Sequence, residues 1–368
     1  MKETLYSLDI GDFERLLTVI QSHFELYGPT VRDSAVVYEK VETTRDLPQG
    51  WVDDQAPGRY RLEKTDSPLF FGHVVGPQSW KKYLFPAREQ LWSVKKESAQ
   101  VKRSANPQKP MAFLGVRSCE LAAIEVQDKV FSHGTQPDAF YHRRRNDLFI
   151  VAVNCTTSSR NCFCTSMNSG PKCNGNFDLA LTEVLDGAIH RIVVEVKSKR
   201  AQDLIAPLHL KTPSPAEIAA AQHAVEENAK TMARSFSTEG LKESLQNSPD
   251  HPRWNKIAER CLDCANCTMV CPTCFCSSTV DTTDLTGDNA ERWRQWDSCF
   301  NLEFSYIHGG EIRKSTASRY RQWLTHKLAN WWDQFGTSGC VGCGRCISWC
   351  PVGIDLTEEA TAIQEGQE

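Results

Sequence analysis

The sequence has no hydrophobic run long enough to span a bilayer; its longest apolar stretches, such as Leu148 to Val153, hold about six residues. Its net charge of −4 gives no general pull toward nucleic acid or anionic lipid. No G-x-G-x-x-G follows an apolar strand-like run and no P-loop is present, so nucleotide and flavin fingerprints are missing. No C-x-x-C-H occurs, which excludes covalent c-type haem. No G-x-S-x-G elbow occurs either, and Thr156-Thr157-Ser158-Ser159 is read as a loop. No secretory leader is read at the start, so we expect a cytoplasmic protein whose thiols stay reduced and free for metal.

Cysteine, by contrast, is abundant: 16 in 368 residues. Two copies of one run stand out. The first is Cys261-Leu-Asp-Cys264-Ala-Asn-Cys267-Thr-Met-Val-Cys271-Pro272, and the second is Cys340-Val-Gly-Cys343-Gly-Arg-Cys346-Ile-Ser-Trp-Cys350-Pro351. Both read C-x2-C-x2-C-x3-C-P, the bacterial ferredoxin spacing for [4Fe–4S] clusters, in which the fourth Cys ligates the other cluster. We therefore assign Cys261, Cys264, Cys267 and Cys350 to one cluster, and Cys340, Cys343, Cys346 and Cys271 to the other. A zinc ribbon would supply two C-x2-C knuckles rather than two such runs, and a disulfide framework belongs to short secreted chains. Paired clusters pass single electrons, so the chain reads as an electron conduit.

A third cysteine group lies in the N-terminal half: Cys155, Cys162 and Cys164, with Cys119 earlier and Cys173 later. Met111 to Val116 and Leu148 to Val153 suit buried strands, and Glu120 to Phe131 has helical spacing, giving a βαβ unit. Cys119 and Cys155 then fall beyond the carboxyl ends of parallel strands, where α/β sheets bind ligands. We expect Cys119, Cys155, Cys162 and Cys164 to hold a third [4Fe–4S] cluster, with Cys173 in reserve. A zinc site or unbound buried thiols are the alternatives. Cys274, Cys276 and Cys299 are left over and are read as packing residues near the clusters.

The expected fold is α+β. Residues 1–197 form an α/β domain with the third cysteine site. Its first helix carries Phe13, Leu16, Leu17, Ile20 and Phe24 on one face and is stopped by Gly28-Pro29. A hairpin of Leu179 to Val184 and Arg191 to Val196 turns at Asp186-Gly187. Residues 198–258 form a helical connector, in which Ser214, Pro215 and Glu217 cap a helix running from Ala216 to Phe236. Residues 259–356 form a two-cluster ferredoxin-like domain. Its runs lie too far apart for a small ferredoxin, so a helical insertion occupies 277–338. The insertion holds Trp293, Trp296, Trp323, Trp331 and Trp332, read as packing over the clusters. Its Arg292, Arg294, Arg313, Arg319 and Arg321 could raise cluster potentials by charge. Residues 357–368 form an acidic tail with the character of a disordered end. His308 and His326 are read as surface or packing residues. No catalytic residue and no cofactor site beyond the clusters is read.

Cys271-Pro-Thr-Cys-Phe-Cys276, Trp296-Asp-Ser-Cys299, His308-Gly-Gly310, Gly339 to Cys346 and Cys350-Pro-Val-Gly-Ile-Asp355 resemble the beta, iron–sulfur subunit of cytoplasmic NiFe sulfhydrogenases. So do Gly115-Val-Arg-Ser-Cys-Glu-Leu121, Asn154-Cys155, Cys162 to Met167 and Phe177 to Glu183. The A subunit of anaerobic sulfite reductase is similar. The resemblance covers about residues 10 to 356. It implies a non-catalytic subunit that relays electrons between an FAD- and NAD(P)-binding flavoprotein and the small and large NiFe hydrogenase subunits. In the sulfite enzyme the catalytic unit carries sirohaem instead. A reductase acting on a sulfur substrate at the N-terminal cluster is a further alternative. The family's usual Arg-Pro-Cys is here Arg117-Ser118-Cys119, which keeps the thiol. The family does not require Cys at the position of Cys173, which favours Cys119 as the ligand.

Overall fold

The computed structural model describes residues 4–103, 109–187 and 189–367. The first three residues of the N-terminal domain and Glu368 of the acidic end lie outside the described residues. A seven-stranded mixed sheet organises the N-terminal half. From edge to edge its strands are Thr4–Leu8, Ile189–Val196, Leu179–Asp186, Phe149–Val153, Met111–Arg117, Glu25–Arg32 and Ala35–Lys40. The central pairs are parallel and both edges close with antiparallel pairs. Side-chain alternation divides the strands between two cores. Ala112, Leu114, Phe149, Val151 and Val153 join helix Ile10–His23 on one face. Phe113, Ile150 and Ala152 join helix Ser118–Phe131 on the other. The expected βαβ unit is present, with Met111–Arg117 parallel to Phe149–Val153.

One irregularity sets the site. The ladder slips between Leu114 and Val116, and Gly115 there has φ +86°. A Cβ at Gly115 would lie 3.1 Å from the Pro29 ring. This bulge moves Val116 to the face of Phe113 and re-aims Arg117, Ser118 and Cys119 at the strand end.

Several expectations need correction. The first helix ends at His23, not at Gly28-Pro29, which lie inside strand Glu25–Arg32. Pro29 lies beyond the Tyr27–Phe113 end of the ladder with Met111–Arg117, so its missing N–H breaks no bond on that side. The helix begun by Ser214 has its capping box, with Glu217 N–H donating to Ser214 Oγ at 3.2 Å, but it ends at Lys230. Beyond it Met232 and Phe236 are drawn onto the Cys162–Cys164 loop, where Phe236 meets Phe163 at 5.6 Å. The insertion is not all helical. Ser277–Thr283 and Asn289–Trp296 form a hairpin whose second strand pairs with Arg88–Lys95 of the N-terminal half, which pairs in turn with Val101–Arg103. Helices Thr316–Thr325 and Trp331–Phe335 follow, joined by a π-helical turn at His326–Asn330. The acidic end is not loose. Leu356–Gln364 is a helix whose Leu356, Ala360 and Ile363 enter the third core, while Glu359 pairs with Arg253 and Arg260.

The two halves meet through the cysteine loops. Phe163 N–H donates to Gly342 O at 2.9 Å, Ser169 Oγ to Val341 O at 2.7 Å, and Asn161 Nδ2 to Ser348 Oγ at 2.8 Å. Behind them Arg345 pairs with Glu120 at 2.6 Å, both side chains at most 1% exposed. Tyr38 OH donates to the other Glu120 oxygen at 2.7 Å, and Arg345 Nε to Gly76 O at 2.9 Å. Losing one member of such a pair strands the other charge. Arg345→Met is expected to cost about 3–5 kcal/mol, read as an earlier midpoint in anaerobic guanidinium unfolding followed by tryptophan fluorescence. Adding Glu120→Gln should recover part of that loss, since no unpaired charge then remains.

Candidate iron–sulfur centres

The two runs share one backbone conformation. The third and fifth residues of each run have positive φ: Asp263 (+51°) and Ala265 (+64°) in the first, Gly342 (+63°) and Gly344 (+73°) in the second. Each loop then enters a one-turn helix, Asn266–Met269 or Arg345–Ser348. Glycine is needed only in the second run. A Cβ at Gly342 would lie 2.6 Å from the Cys164 backbone, and one at Gly344 2.3 Å from Asn161 O. In the first run Asp263 instead uses its carboxylate, accepting from Thr316 Oγ1 at 2.6 Å and pairing with Arg319 of the insertion.

Cys261, Cys264, Cys267 and Cys350 line one cavity, walled by Phe300, Tyr320, Trp323, Ile354 and Leu356. The Tyr320 hydroxyl and Trp323 indole N–H of that wall are buried without hydrogen-bond partners. Unspent donors around four thiols suit a group rich in sulfur acceptors. Cys346 also reaches this cavity. Cys346 also feels the charges of Cys340, Cys343 and Cys271, and of Cys267 of the first group. Among the described residues no three His, Cys, Asp or Glu side chains converge on the point a single metal ion would need. These thiols border voids instead.

The N-terminal thiols also meet. Cys119, Cys155, Cys162 and Cys164 line one cavity with Val74, Val75, Asn228 and Met232. Cys119 comes from the first turn of helix Ser118–Phe131, whose N-terminal dipole favours a thiolate. Arg117 Nη1 lies 3.8 Å from Cys155 Sγ, and Ser159 Oγ lies 3.3 Å from Cys162 Sγ. Cys173 is not in this cavity. It lines a separate groove with Asn154, whose Oδ1 accepts the Cys173 N–H at 2.6 Å. Cys343 of the second run does reach the cavity, a placement that spacing alone could not show.

The cations beside the thiols differ from those expected. Arg292 and Arg294 pair with Asp281, Glu89 and Asp138, Arg319 with Asp263, and Arg321 donates to Pro249 O. Lys327, 4% exposed on the π-helical turn, donates instead to Cys271 Sγ at 3.2 Å, Thr273 Oγ1 at 3.1 Å and Gly339 O at 3.2 Å. Burial works against its charge, but Cys271, Cys274 and Cys340 outweigh that and hold its pKa well above the ordinary lysine value. A hydrogen bond with Cys274 holds Cys271 well below the usual thiol value, with Lys327 assisting against burial. Burial pushes Cys119, Cys267 and Cys346 up, so a metal is the natural replacement for their protons. Lys327 escaped sequence reading because a lysine beside a helix normally snorkels to solvent; its only signal is the apolar company of Leu324, Leu328, Ala329 and Trp331.

Of the insertion's tryptophans, Trp323 walls the first cavity and Trp331 packs on Gly339, where a Cβ would lie 2.8 Å from its ring. Trp293 and Trp296 are on the hairpin, and Trp332 is half exposed. His308 is exposed, and His326 contacts Gln334 at 3.1 Å.

Two interleaved thiol quartets on repeated loops define a two-cluster [4Fe–4S] protein, and the family profile of the 4Fe-4S dicluster domain matches residues 260–354. Over 316 residues the chain is 31% identical to "Sulfhydrogenase 2 subunit beta" of Pyrococcus furiosus, covering 83% of this chain and 90% of that protein. The chain belongs to this family of sulfhydrogenase beta subunits. No solved structure matches it. It is an iron–sulfur electron-transfer protein of α+β fold with at least two [4Fe–4S] clusters. Among the described residues no helix is long and apolar enough to cross a membrane.

Lys327→Met keeps the buried stem and removes the charge. It is expected to shift the potential of the neighbouring cluster negative by on the order of 60–130 mV, the one-electron equivalent of about 1.5–3 kcal/mol for a charged hydrogen bond. An EPR-monitored redox titration measures this.

Proposed function

We propose that this chain relays single electrons between an NAD(P)H-handling flavoprotein subunit and the small and large subunits of a NiFe hydrogenase, through three [4Fe–4S] clusters. Cys261, Cys264, Cys267 and Cys350 would hold one cluster, Cys271, Cys340, Cys343 and Cys346 the second, and Cys119, Cys155, Cys162 and Cys164 the third. The clusters supply one-electron chemistry when bound. The protein contributes their spacing, their buried surroundings and the cations Arg117, Lys327 and Arg345. In this reading residues 1–197 carry the third centre, residues 198–258 join the two units, and residues 259–356 carry the dicluster.

One observation carries the reading. Cys343 borders both the N-terminal cavity and the second quartet, and Cys346 borders both the second quartet and the first cavity. The thiols thus form one unbroken row from the N-terminal sheet to the far end of the dicluster domain. A conduit requires such a row; a store of metal or a structural zinc protein does not. The hydrogenase name printed for the relative supports the partners chosen.

Three clusters give about twelve irons per chain, to be measured by anaerobic iron and sulfide analysis with EPR of the dithionite-reduced protein. Cys119→Ser should lose about a third of that iron and Cys173→Ser none, because Cys173 faces the other groove. About eight irons in the wild type would remove the third centre.

Reconstitution tests the relay. Flavoprotein and hydrogenase subunits should couple NAD(P)H oxidation to H2 turnover only when this chain is added, and the chain alone should oxidise no H2. Undiminished coupling without it would end the proposal.

A further inference from the structure

Two buried lysines, Lys81 and Lys327, converge on the loop that leaves Cys271, and neither has a carboxylate partner among the described residues. Lys327 reaches Cys271 Sγ and Thr273 Oγ1 from the insertion. Lys81 comes from the N-terminal half, at the start of the short helix Lys81–Leu84, and is 4% exposed. Its ammonium donates to Cys274 O at 3.1 Å and lies 3.8 Å from the centroid of the Trp296 ring. That ring is fixed in turn, since Trp296 Nε1 donates to Phe85 O at 2.9 Å. Two more bonds clamp the loop itself: Gln127 Nε2 donates to Pro272 O at 2.9 Å, and Thr273 Oγ1 to Gly339 O at 2.6 Å. Both charges are therefore dry, held in place and directed at the stretch from Cys271 to Cys274.

A buried ammonium without a counter-ion is costly, and two on one loop cost more because they repel. An anion at that place offsets both costs. Four thiolates with a four-iron cluster are anionic, and reduction adds one more negative charge, so fixed cations favour the reduced form. The other charges near the thiols do less. Arg345 is neutralised by Glu120, and Arg319, at the first quartet, by Asp263. The unspent donors of the first cavity, Tyr320 and Trp323, carry no charge. Beside Cys155 of the N-terminal group the cation is Arg117.

We propose that Lys81 and Lys327 make the cluster of Cys271, Cys340, Cys343 and Cys346 the centre of highest reduction potential, an electron well in the middle of the row. Its place is central because Cys343 lines the N-terminal cavity and Cys346 the first one. The first electron to enter comes to rest there. No bond forms or breaks and no proton is taken up, because the two ammoniums already balance the added charge. The well then stays filled, and only the next electron occupies an outer centre and leaves for an acceptor of low potential. The inference rests on the cluster assignment proposed above and is independent of the hydrogenase partner.

The anaerobic holoprotein is titrated with dithionite in the presence of redox mediators and followed by EPR. One electron is expected to enter at least tenfold more favourably than the next, a gap of about 59 mV. Lys81→Met should make that first step about tenfold less favourable, a shift of about 59 mV to the negative side, whereas Lys81→Arg keeps the charge and should stay near the wild type. Tyr320→Phe removes a donor from the wall of the first cavity and should move a later step only. A first step unmoved in Lys81→Met of full iron content overturns the well. So does a Lys81→Arg step shifted as far as that of Lys81→Met, since the side chain would then act by packing and not by charge. Tyr320→Phe decides the order even where Lys81→Met loses iron: a moved first step places the first electron on the first cluster and overturns the proposal. Loss of hydrogenase coupling in reconstitution leaves these potentials unchanged and bears only on the relay. Wild-type iron below about eight per chain would instead remove the cluster assignment on which both readings stand.

Discussion

Between Gly344 and the Asn161 carbonyl there is no room for a methyl group, and the same holds between Gly342 and the Cys164 backbone. This backbone-on-backbone contact is the constraint on which the arrangement depends. It brings the Cys162–Cys164 loop against the second ferredoxin run so closely that Cys343 borders the N-terminal cavity. Any side chain at those two glycines would push the thiol groups apart, and electron transfer weakens steeply with separation. The hydrogen bonds of Phe163, Ser169 and Asn161 hold the contact, and the buried Arg345–Glu120 pair locks its orientation from behind.

The contact also explains an electrostatic pattern. Many thiols and few solvent dipoles share a dry interior, so any charge placed on them must be balanced locally. The chain places buried cations beside the two inner thiol groups: Arg117 next to Cys155 in the N-terminal group, and Arg345 near Cys343 and Lys327 on Cys271 in the second quartet. Each is fixed by backbone carbonyls: Arg117 by Phe71 and His73, Arg345 by Gly76 and Gln78, and Lys327 by Gly339. A cation held that way cannot follow a charge that arrives and leaves, so its field is constant while an electron passes. The outermost group, Cys261 with Cys264 and Cys267, has no such partner among the described hydrogen bonds. Its wall is aromatic, with Asp263 pinned outward to Arg319.

What could be read from the sequence follows the range of the forces involved. Local patterns sufficed for the helix at Phe13 to Ile20, the βαβ unit around Cys119, the hairpin at Asp186-Gly187 and the capping box at Ser214. The two runs displayed their own spacing, and the gathering of Cys119 with Cys155 followed from strand ends. The failures were all nonlocal. Arg294 looked available to the clusters because its acidic partners Glu89 and Asp138 lie far away in the chain. The insertion looked helical because its tryptophans drew attention from the alternation of Asn289–Trp296, a strand that needs Arg88–Lys95 beside it. Glu359 looked like part of a tail until Arg253 and Arg260 supplied a reason for its burial.

The insertion takes on a different meaning once its contacts are known. A ferredoxin unit alone binds two clusters with little more than its two loops. Here the chain between the loops leaves the unit, adds a hairpin to an N-terminal sheet, and returns as helices that deliver Trp323, Lys327 and Trp331 to the cysteine runs. The detour therefore ties the two halves together at a second place, independent of the glycine contact. Two separate ties are what a rigid separation between redox centres requires, since a single contact leaves a hinge and a hinge lets the centres drift apart. The insertion thereby stiffens the conduit.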